Sequence, residues 1–104
     1  MNKEMRIKDS REFENIIKNG KKKANSFFVI YYKERNKEFS RFGVSLSKKF
    51  GNAVKRNKYK RILREIIRIN QKKFKNTYDY IIIMKKSCDN LEYKVIEENL
   101  LTLL

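Results

Sequence analysis

The sequence predicts an α+β domain whose helices and strands follow the order αββαβα. Apolar residues recur at helical spacing in two segments, and three others are rich in the aromatic and β-branched residues that favour strands. A third helix is predicted at the carboxyl end. With 104 residues, the chain is expected to form one domain over residues 1–104, in which helices pack against a small sheet.

The first helix is predicted over 11–18, after a basic and mobile lead at residues 1–8. Asp9 or Ser10 can cap its amino end, and Gly20 would end it. Its apolar face comprises Phe13, Ile16 and Ile17. This spacing predicts that one side of the helix packs on the rest of the domain.

Two strands are predicted next, at Phe27–Lys33 and Phe39–Ser47, after a basic connection at 21–26. A short polar turn at 34–38 separates them, which favours an antiparallel hairpin. In the first strand one face would carry Phe27, Val29 and Tyr31. Aromatic rings beside Ser and Arg side chains suit a single-stranded nucleic acid, because bases stack on flat rings.

The second helix is predicted from Ala53 to Asn70, with Asn52 as its cap and Gly51 permitting the sharp bend before it. Its apolar stripe comprises Tyr59, Ile62, Leu63, Ile66, Ile67 and Ile69. At about 100° per residue, the opposite arc comprises Asn57, Lys60, Arg61, Arg64 and Arg68. The pattern predicts an amphipathic helix with a basic outer face.

The second helix lies in a long basic window. Between Phe39 and Arg64 there are nine Lys or Arg residues and no acidic residue. Cations at a helix start are disfavoured by the dipole, and only Glu65 offers an acidic partner nearby. An external anion is therefore expected, and phosphate fits. The net charge of +15 points to nucleic acid first and to an acidic membrane surface second.

The remaining elements are an inner strand, Tyr78–Met84, and a last helix that begins at Leu91 or Glu92. Packing residues of that helix are expected to be Tyr93, Val95, Ile96, Leu100, Leu101 and Leu104. Cys88 lies between these elements. Because the chain contains no histidine to activate it, Cys88 is predicted to be inert.

No catalytic or metal-binding constellation is recognisable. The carboxylates are scattered, and neither a glycine-rich phosphate loop nor a cysteine-based metal motif occurs. No apolar run approaches the roughly 20 residues of a membrane span, and the amino end does not resemble a secretory signal. These observations predict a cytoplasmic protein that binds RNA or DNA, and the residue pattern does not distinguish the two.

The segment Gly43–Glu65 resembles the signature of the bacterial ribonuclease P protein subunit. It combines a strand ending in Ser-Lys-Lys, then Gly-Asn-Ala-Val, then a helix that opens with a variant of Arg-Asn-Arg. The early helix with Phe13, the stop at Gly20, the Ala-Asn before an aromatic strand, and Asp79–Ile83 also follow the family order. The similarity covers nearly the whole chain.

The resemblance implies an αββαβα two-layer sandwich of the ribosomal-protein-S5-domain-2 type, with a left-handed βαβ crossover. It implies a subunit of an endoribonuclease that removes the 5′ leader of precursor tRNA by phosphodiester hydrolysis. The partners would be a catalytic RNA and precursor tRNA, with no protein partner required. The RNA subunit would perform the chemistry with its own Mg²⁺, and the protein would hold neither metal nor cofactor.

The resemblance also implies two binding surfaces. One is the helix that contacts the catalytic RNA, and its matching residues, with Arg68 from the same arc, are Arg56, Asn57, Lys58, Lys60, Arg61, Arg64 and Arg68. The other is a cleft for the single-stranded leader, and its matching residues are Phe13, Ile17, Asn25, Phe27, Tyr31, Ser47, Lys48 and Lys49.

This sequence departs from the family pattern at three places. Lys58 replaces an Arg, which keeps the charge but loses bidentate phosphate recognition. Ile17 stands where an aromatic residue is common, so one stacking platform is missing. The segment 84–90 lacks a proline, which is expected to affect only that loop.

Two other functions fit parts of the sequence. A general basic RNA-binding or ribosome-associated protein would bind many RNAs with similar salt dependence. An independent nuclease would cleave without RNA, and no residue pattern supports it.

Overall fold

A computed structural model describes residues 5–35, 38–75 and 77–104. Its helices are α1 (Ser10–Asn19), α2 (Ala53–Ile69) and α3 (Tyr93–Leu101). Its strands are β1 (Lys21–Ala24), β2 (Phe28–Glu34), β3 (Arg41–Leu46) and β4 (Tyr78–Met84). Single turns of 3-10 helix lie at Lys48–Phe50, Gln71–Lys73 and Lys86–Cys88. The α+β fold is therefore confirmed, with one strand more than predicted.

The four strands form one mixed sheet in the order β1-β2-β4-β3. β4 lies in the middle, antiparallel to β2 and parallel to β3. The predicted hairpin of β2 and β3 is therefore wrong, because the most apolar strand takes the place between them. Parallel neighbours need a long crossover, and the 17 residues of α2 supply it between β3 and β4.

The additional strand, β1, occupies the segment that was predicted to be a basic connection. Its three lysines have low strand propensity, so no local signal indicates a strand there. Its backbone nevertheless pairs with β2, in a register that places Lys22 opposite Tyr31 and Lys23 opposite Ile30. All four side chains are exposed, and lysines on an edge strand discourage pairing with other chains.

Helices cover the two faces of the sheet unequally. On one face Phe28, Ile30, Ile82 and Met84 pack beneath buried residues of α2 and α3, which are Tyr59, Leu63, Ile66, Ile67, Ile96 and Leu100. On the other face, a smaller cluster joins Ile81 to Ile16 of α1 and Ile7, with Phe13, Tyr31 and Ile83 at its margin. The sheet face beneath α1 is therefore only partly covered.

The amino-terminal lead is ordered over the part that the structure describes. Ile7 is 5% exposed, and its N–H donates to the carbonyl oxygen of Phe42 at 2.9 Å. Arg6 forms a parallel bridge with Phe42 beside β3. The expectation of a mobile lead is therefore wrong for residues 5–8, and residues 1–4 lie outside the described residues.

The predicted helix caps are confirmed. Asp9 accepts a hydrogen bond from the Arg11 N–H at 2.8 Å, and Asn52 accepts one from the Lys55 N–H at 3.0 Å. Gly51 has a φ of 129°, a backbone conformation that favours glycine. Each cap satisfies a first-turn donor, so both helices begin close to the predicted residues.

Two predictions about buried helix residues are wrong in part. Ile96 and Leu100 of α3 are fully buried, whereas Tyr93, Val95 and Leu104 are exposed. In α2, Ile69 is 55% exposed because it falls outside the stripe that faces the sheet. Within the described residues, no helix is both long and apolar enough to cross a membrane.

Candidate nucleic-acid interface

One side of α2 presents a basic surface. Asn57, Arg61, Arg64 and Arg68 recur along the helix and, with Glu65 and Arg6 of the lead, line an open depression of about 470 Å³. Lys58 is also exposed, and Lys60 is half-buried. Four arginines around one depression offer planar donors for phosphate oxygens, because each guanidinium carries five N–H groups.

Arg56 has a different position from the other predicted residues of this surface. Its Nη1 donates to the carbonyl oxygen of Ser47 at 2.8 Å, and its Nη2 donates to that of Leu46 at 3.4 Å. The side chain therefore joins the start of α2 to the end of β3. Since a guanidinium has more donors than these two bonds use, Arg56 combines this structural role with a capacity to bind phosphate.

Glu65 is the acidic member of the depression, and it is paired within the helix. Its carboxylate accepts hydrogen bonds from Arg68 Nη2 at 2.6 Å and Nε at 3.2 Å. The Arg68 hydrogen bond lowers the pKa of Glu65, so the carboxylate is charged at neutral pH. Such an exposed pair contributes little to stability, and an incoming phosphate can compete for Arg68.

Arg6 belongs to this surface, and sequence reasoning missed it. Its Nε is buried and has no hydrogen-bond partner among the described residues. A buried unpaired donor costs free energy. Because this atom is not exposed to the depression, Arg6 contributes to the surface through its positive charge. The signal in the sequence was Ile7, whose apolar side chain needs a buried site and therefore brings Arg6 beside α2.

The second surface lies on the sheet face that α1 covers in part. The ring of Phe13 lies over Gly43, where a Cβ atom would stand 2.5 Å from its Cζ atom. The next row of the sheet aligns Val29, Ile83 and Ser45, all half-buried. The sheet face beside α1 is partly uncovered along this row, with Phe13 as one wall; we call this surface the cleft.

Tyr31 lies at the cleft with a cation beside it. The Nζ atom of Lys22 is 5.9 Å from the centre of the Tyr31 ring. Sequence reasoning missed Lys22, because its segment has the composition of a connection rather than of a strand. A half-buried aromatic ring next to an ammonium group can stack a base and neutralise the phosphate that follows it.

An ion cluster fixes α1 at one end of the cleft. Arg41 donates to both carboxylate oxygens of Asp79, at 2.9 and 3.0 Å, and also pairs with Glu12 of α1. Arg35 adds a third bond to Asp79 at 3.3 Å. The hydrogen bond to Asp79 raises the pKa of Arg41, which therefore stays charged. The spacing of α1 from the sheet is thus set by paired groups.

The structure brings only some of the predicted cleft residues together. Phe13 and Tyr31 share the smaller cluster, and Ile17 is exposed on α1. Ser47, Lys48 and Lys49 follow β3, where both lysines are exposed and the Ser47 hydroxyl has no partner within the described residues. Because that hydroxyl is buried, the groups that this segment offers to a ligand are its two lysine cations.

Asn25 and Phe27 are placed differently. The Asn25 side chain donates to Asn99 O and Thr102 Oγ1 and accepts from the N–H groups of Phe27 and Phe28. All its hydrogen-bonding capacity is thereby used in joining β2 to the end of α3. Phe27 packs against the core beneath α2 and α3 instead of sharing a face with Tyr31. The reason is that β2 begins at Phe28, one residue later than predicted, so the alternation of the strand does not include Phe27.

No group of the described residues suits hydrolytic chemistry by the protein alone. Cys88 is fully buried, and burial raises the pKa of its thiol to about 11, so it is an inert core residue. Over residues 5–35, 38–75 and 77–104 no three acidic, His or Cys side chains are grouped to hold a metal ion. The chemistry that both surfaces offer is phosphate binding and base stacking.

A family model described as Ribonuclease P matches residues 1–104. The chain belongs to the ribonuclease P protein family. Its function is that of the protein component of ribonuclease P, the endoribonuclease that processes the 5′ end of tRNA, as the resemblance implied.

Relatives and solved structures agree with the family. The ribonuclease P protein component of Streptococcus agalactiae serotype Ia is 41% identical over 104 residues, which cover 100% of this chain and 94% of the relative. That of Finegoldia magna is 43% identical over 97% of this chain and 88% of its own. The RNase P protein of Thermotoga maritima superposes with a TM-score of 0.87 at 34% identity, covering 95% of this chain and 94% of that one.

A second solved structure, the RNase P protein of Staphylococcus aureus, gives a TM-score of 0.86 at 34% identity. It covers 95% of this chain and 91% of the other. The family model and the relatives confirm the predicted family, and the superposed structures confirm the predicted fold.

Proposed function

We propose that the chain binds the catalytic RNA of ribonuclease P through the basic surface of α2 and holds the 5′ leader of precursor tRNA in the cleft. Four arginines converge on one depression beside α2, and this observation carries the proposal. Each surface would do one task, and the RNA would perform the hydrolysis with Mg²⁺ that it binds itself.

Folded RNA suits the α2 surface. An A-form helix presents closely spaced phosphates, and a rigid helix whose arginines recur every three to four residues can meet several of them at once. Asn52 caps the start of α2 and Arg56 holds it against the end of β3, so the helix needs little ordering on binding. Lys58 supplies charge without the fork that Arg would offer.

A single strand suits the cleft. Its floor and wall offer Tyr31 and Phe13 for stacking, while Lys22, Lys48 and Lys49 are placed near its sides and end. A stacked base contributes about 1–3 kcal/mol, and this contribution does not depend on sequence. A leader held here would distinguish precursor from mature tRNA, because mature tRNA has no such segment.

Assembly in the cytoplasm with catalytic RNA and precursor tRNA, without another protein, completes the proposal. The test is cleavage of precursor tRNA at low Mg²⁺ by a bacterial ribonuclease P RNA alone, by the protein alone, and by both. Cleavage that requires both supports the proposal. Cleavage by the protein alone would contradict it, and so would RNA binding without any stimulation, which a general RNA-binding protein would show.

A further inference from the structure

A second aromatic and basic pocket lies on the sheet face opposite the cleft. It has a volume of about 150 Å³ and is formed where β2 and β4 leave the cover of α2. Ile30, Phe74 and Leu103 supply its apolar part, and Tyr32, Tyr78 and Tyr80 supply its rings. The strand register puts these tyrosines on the face away from Tyr31 and Ile81.

The three rings form a continuous aromatic surface. The Tyr32 and Tyr78 centroids are 5.9 Å apart, and Tyr78 and Tyr80 are 6.0 Å apart with planes inclined by 31°. Tyr80 is buried and donates its hydroxyl hydrogen to the Lys75 carbonyl oxygen at 3.1 Å. Tyr32 and Tyr78 are only half-buried, so they offer ring surface to a ligand.

Three lysines surround these rings. Lys23 of β1 holds its Nζ atom 5.6 Å from the centre of the Tyr32 ring, and Lys73 and Lys75 also line the pocket. Among the described residues that line this pocket, which include Leu104, none has an acidic side chain. Because successive side chains of β1 point to opposite faces of the sheet, Lys22 lies beside Tyr31 on one face and Lys23 lies beside Tyr32 on the other.

We propose that this pocket binds one unstacked base of a single-stranded RNA segment, with flanking phosphates against Lys23, Lys73 and Lys75. The volume is below the roughly 300–1,000 Å³ of pockets for drug-sized ligands, so it suits a single base ring rather than a whole nucleotide. Rings give sequence-tolerant stacking, and the lysines follow the backbone. The site is independent of the α2 surface and of the cleft.

The test is a titration of the protein, labelled in its tyrosine rings, with a short single-stranded oligoadenylate, followed by NMR. Ring signals of Tyr32 and Tyr78 are expected to shift saturably, in addition to those of Tyr31. Tyr78→Leu should weaken binding reported by Tyr32 at least about fivefold, the lower end for one stacked base. Signals of Tyr32 and Tyr78 that stay fixed while those of Tyr31 saturate would overturn the proposal.

Two matched double variants separate the sites, since each removes two exposed lysines and leaves the core intact. Lys73→Ala with Lys75→Ala should abolish the shifts of Tyr32 and Tyr78 and keep those of Tyr31. Lys48→Ala with Lys49→Ala should weaken only the Tyr31 response. A short inorganic polyphosphate should bind weakly here, and equal affinity for polyphosphate and oligoadenylate would overturn base recognition.

Discussion

The two faces of the sheet differ in how completely helices cover them. Beneath α2 and α3, the sheet residues Phe28, Ile82 and Met84 are fully buried, and most of that face is closed. Beneath α1, the row of Val29, Ile83 and Ser45 is only half-buried. The closed face holds α2 in place with its basic side outward, whereas the other face leaves sheet side chains partly accessible beside α1.

The largest expected effect is a loss of stability when a buried side chain between α2 and the sheet is shortened. Leu63→Ala removes a side chain with no exposed surface from the packing between α2 and the sheet. It should lower the free energy of unfolding by about 2–5 kcal/mol, as measured by urea denaturation. Ile69→Ala on the same helix is the control, because Ile69 is exposed, and it should be nearly neutral. Equal losses would show that α2 does not owe its position to this packing.

The partly covered face can be tested at Gly43. Gly43→Ala places a Cβ atom 2.5 Å from Phe13 Cζ and 2.8 Å from Ile81 Cδ1, so Phe13 must move. Overpacking of this kind costs about 1–3 kcal/mol of stability, and the displaced ring should also weaken leader binding. The neighbouring Ser45→Ala meets no such obstacle and should change stability by less than about 0.5 kcal/mol. A neutral Gly43→Ala would mean that Phe13 does not form the cleft wall.

The basic surface of α2 should determine how strongly binding to the catalytic RNA depends on salt concentration. Arg61→Ala should weaken binding to the catalytic RNA and reduce the slope of log K against log salt by about 0.7–0.9 for each phosphate that the arginine neutralises. Lys94→Ala on α3 removes the same charge from a different helix and should leave the slope unchanged. If both variants changed the slope equally, only the net charge would matter and the α2 surface would have no special role.

The smallest effect concerns the start of α2, where Asp89 pairs with Lys55 at 2.6 Å. The Lys55 hydrogen bond lowers the pKa of Asp89 below its ordinary value of about 3.9. The stabilisation is therefore complete above about pH 4 and is lost as the pH falls through the folded-state pKa. Asp89→Asn should lack this loss, as urea midpoints at decreasing pH would show, with Glu98→Gln as the control. A wild-type profile parallel to that of Asp89→Asn would contradict the pairing.

Local signals in the sequence predicted much of the fold. Asn52 and Asp9 each had a capping oxygen before an apolar repeat, and Tyr78–Met84 was apolar enough to require the centre of the sheet. Strand partners could not be predicted in this way, because pairing depends on residues distant in sequence. β1 illustrates the same limit, since its three lysines form a strand only through the backbone of β2.

The sequence predicted the residues of the α2 surface better than those of the cleft. The basic arc of α2 follows from helical periodicity, so Asn57, Arg61, Arg64 and Arg68 were found without knowledge of the fold. The cleft depends on which strands are neighbours and where each begins. Because β2 begins one residue later than predicted, Phe27 packs against the core beneath α2 and α3. Asn25 looked free to bind a ligand in the sequence, but its side chain is used in hydrogen bonds to Asn99 and Thr102.

The central claim is that the α2 surface binds the catalytic RNA while the cleft binds the leader. The most direct measurement is the affinity of the assembled holoenzyme for precursor and for mature tRNA, with wild-type protein, Tyr31→Ala and Arg61→Ala. Tyr31→Ala should lower the preference for precursor at least about fivefold and leave mature tRNA binding unchanged, whereas Arg61→Ala should weaken assembly and keep the preference. Equal loss for both tRNAs in Tyr31→Ala would contradict the division of labour between the two surfaces.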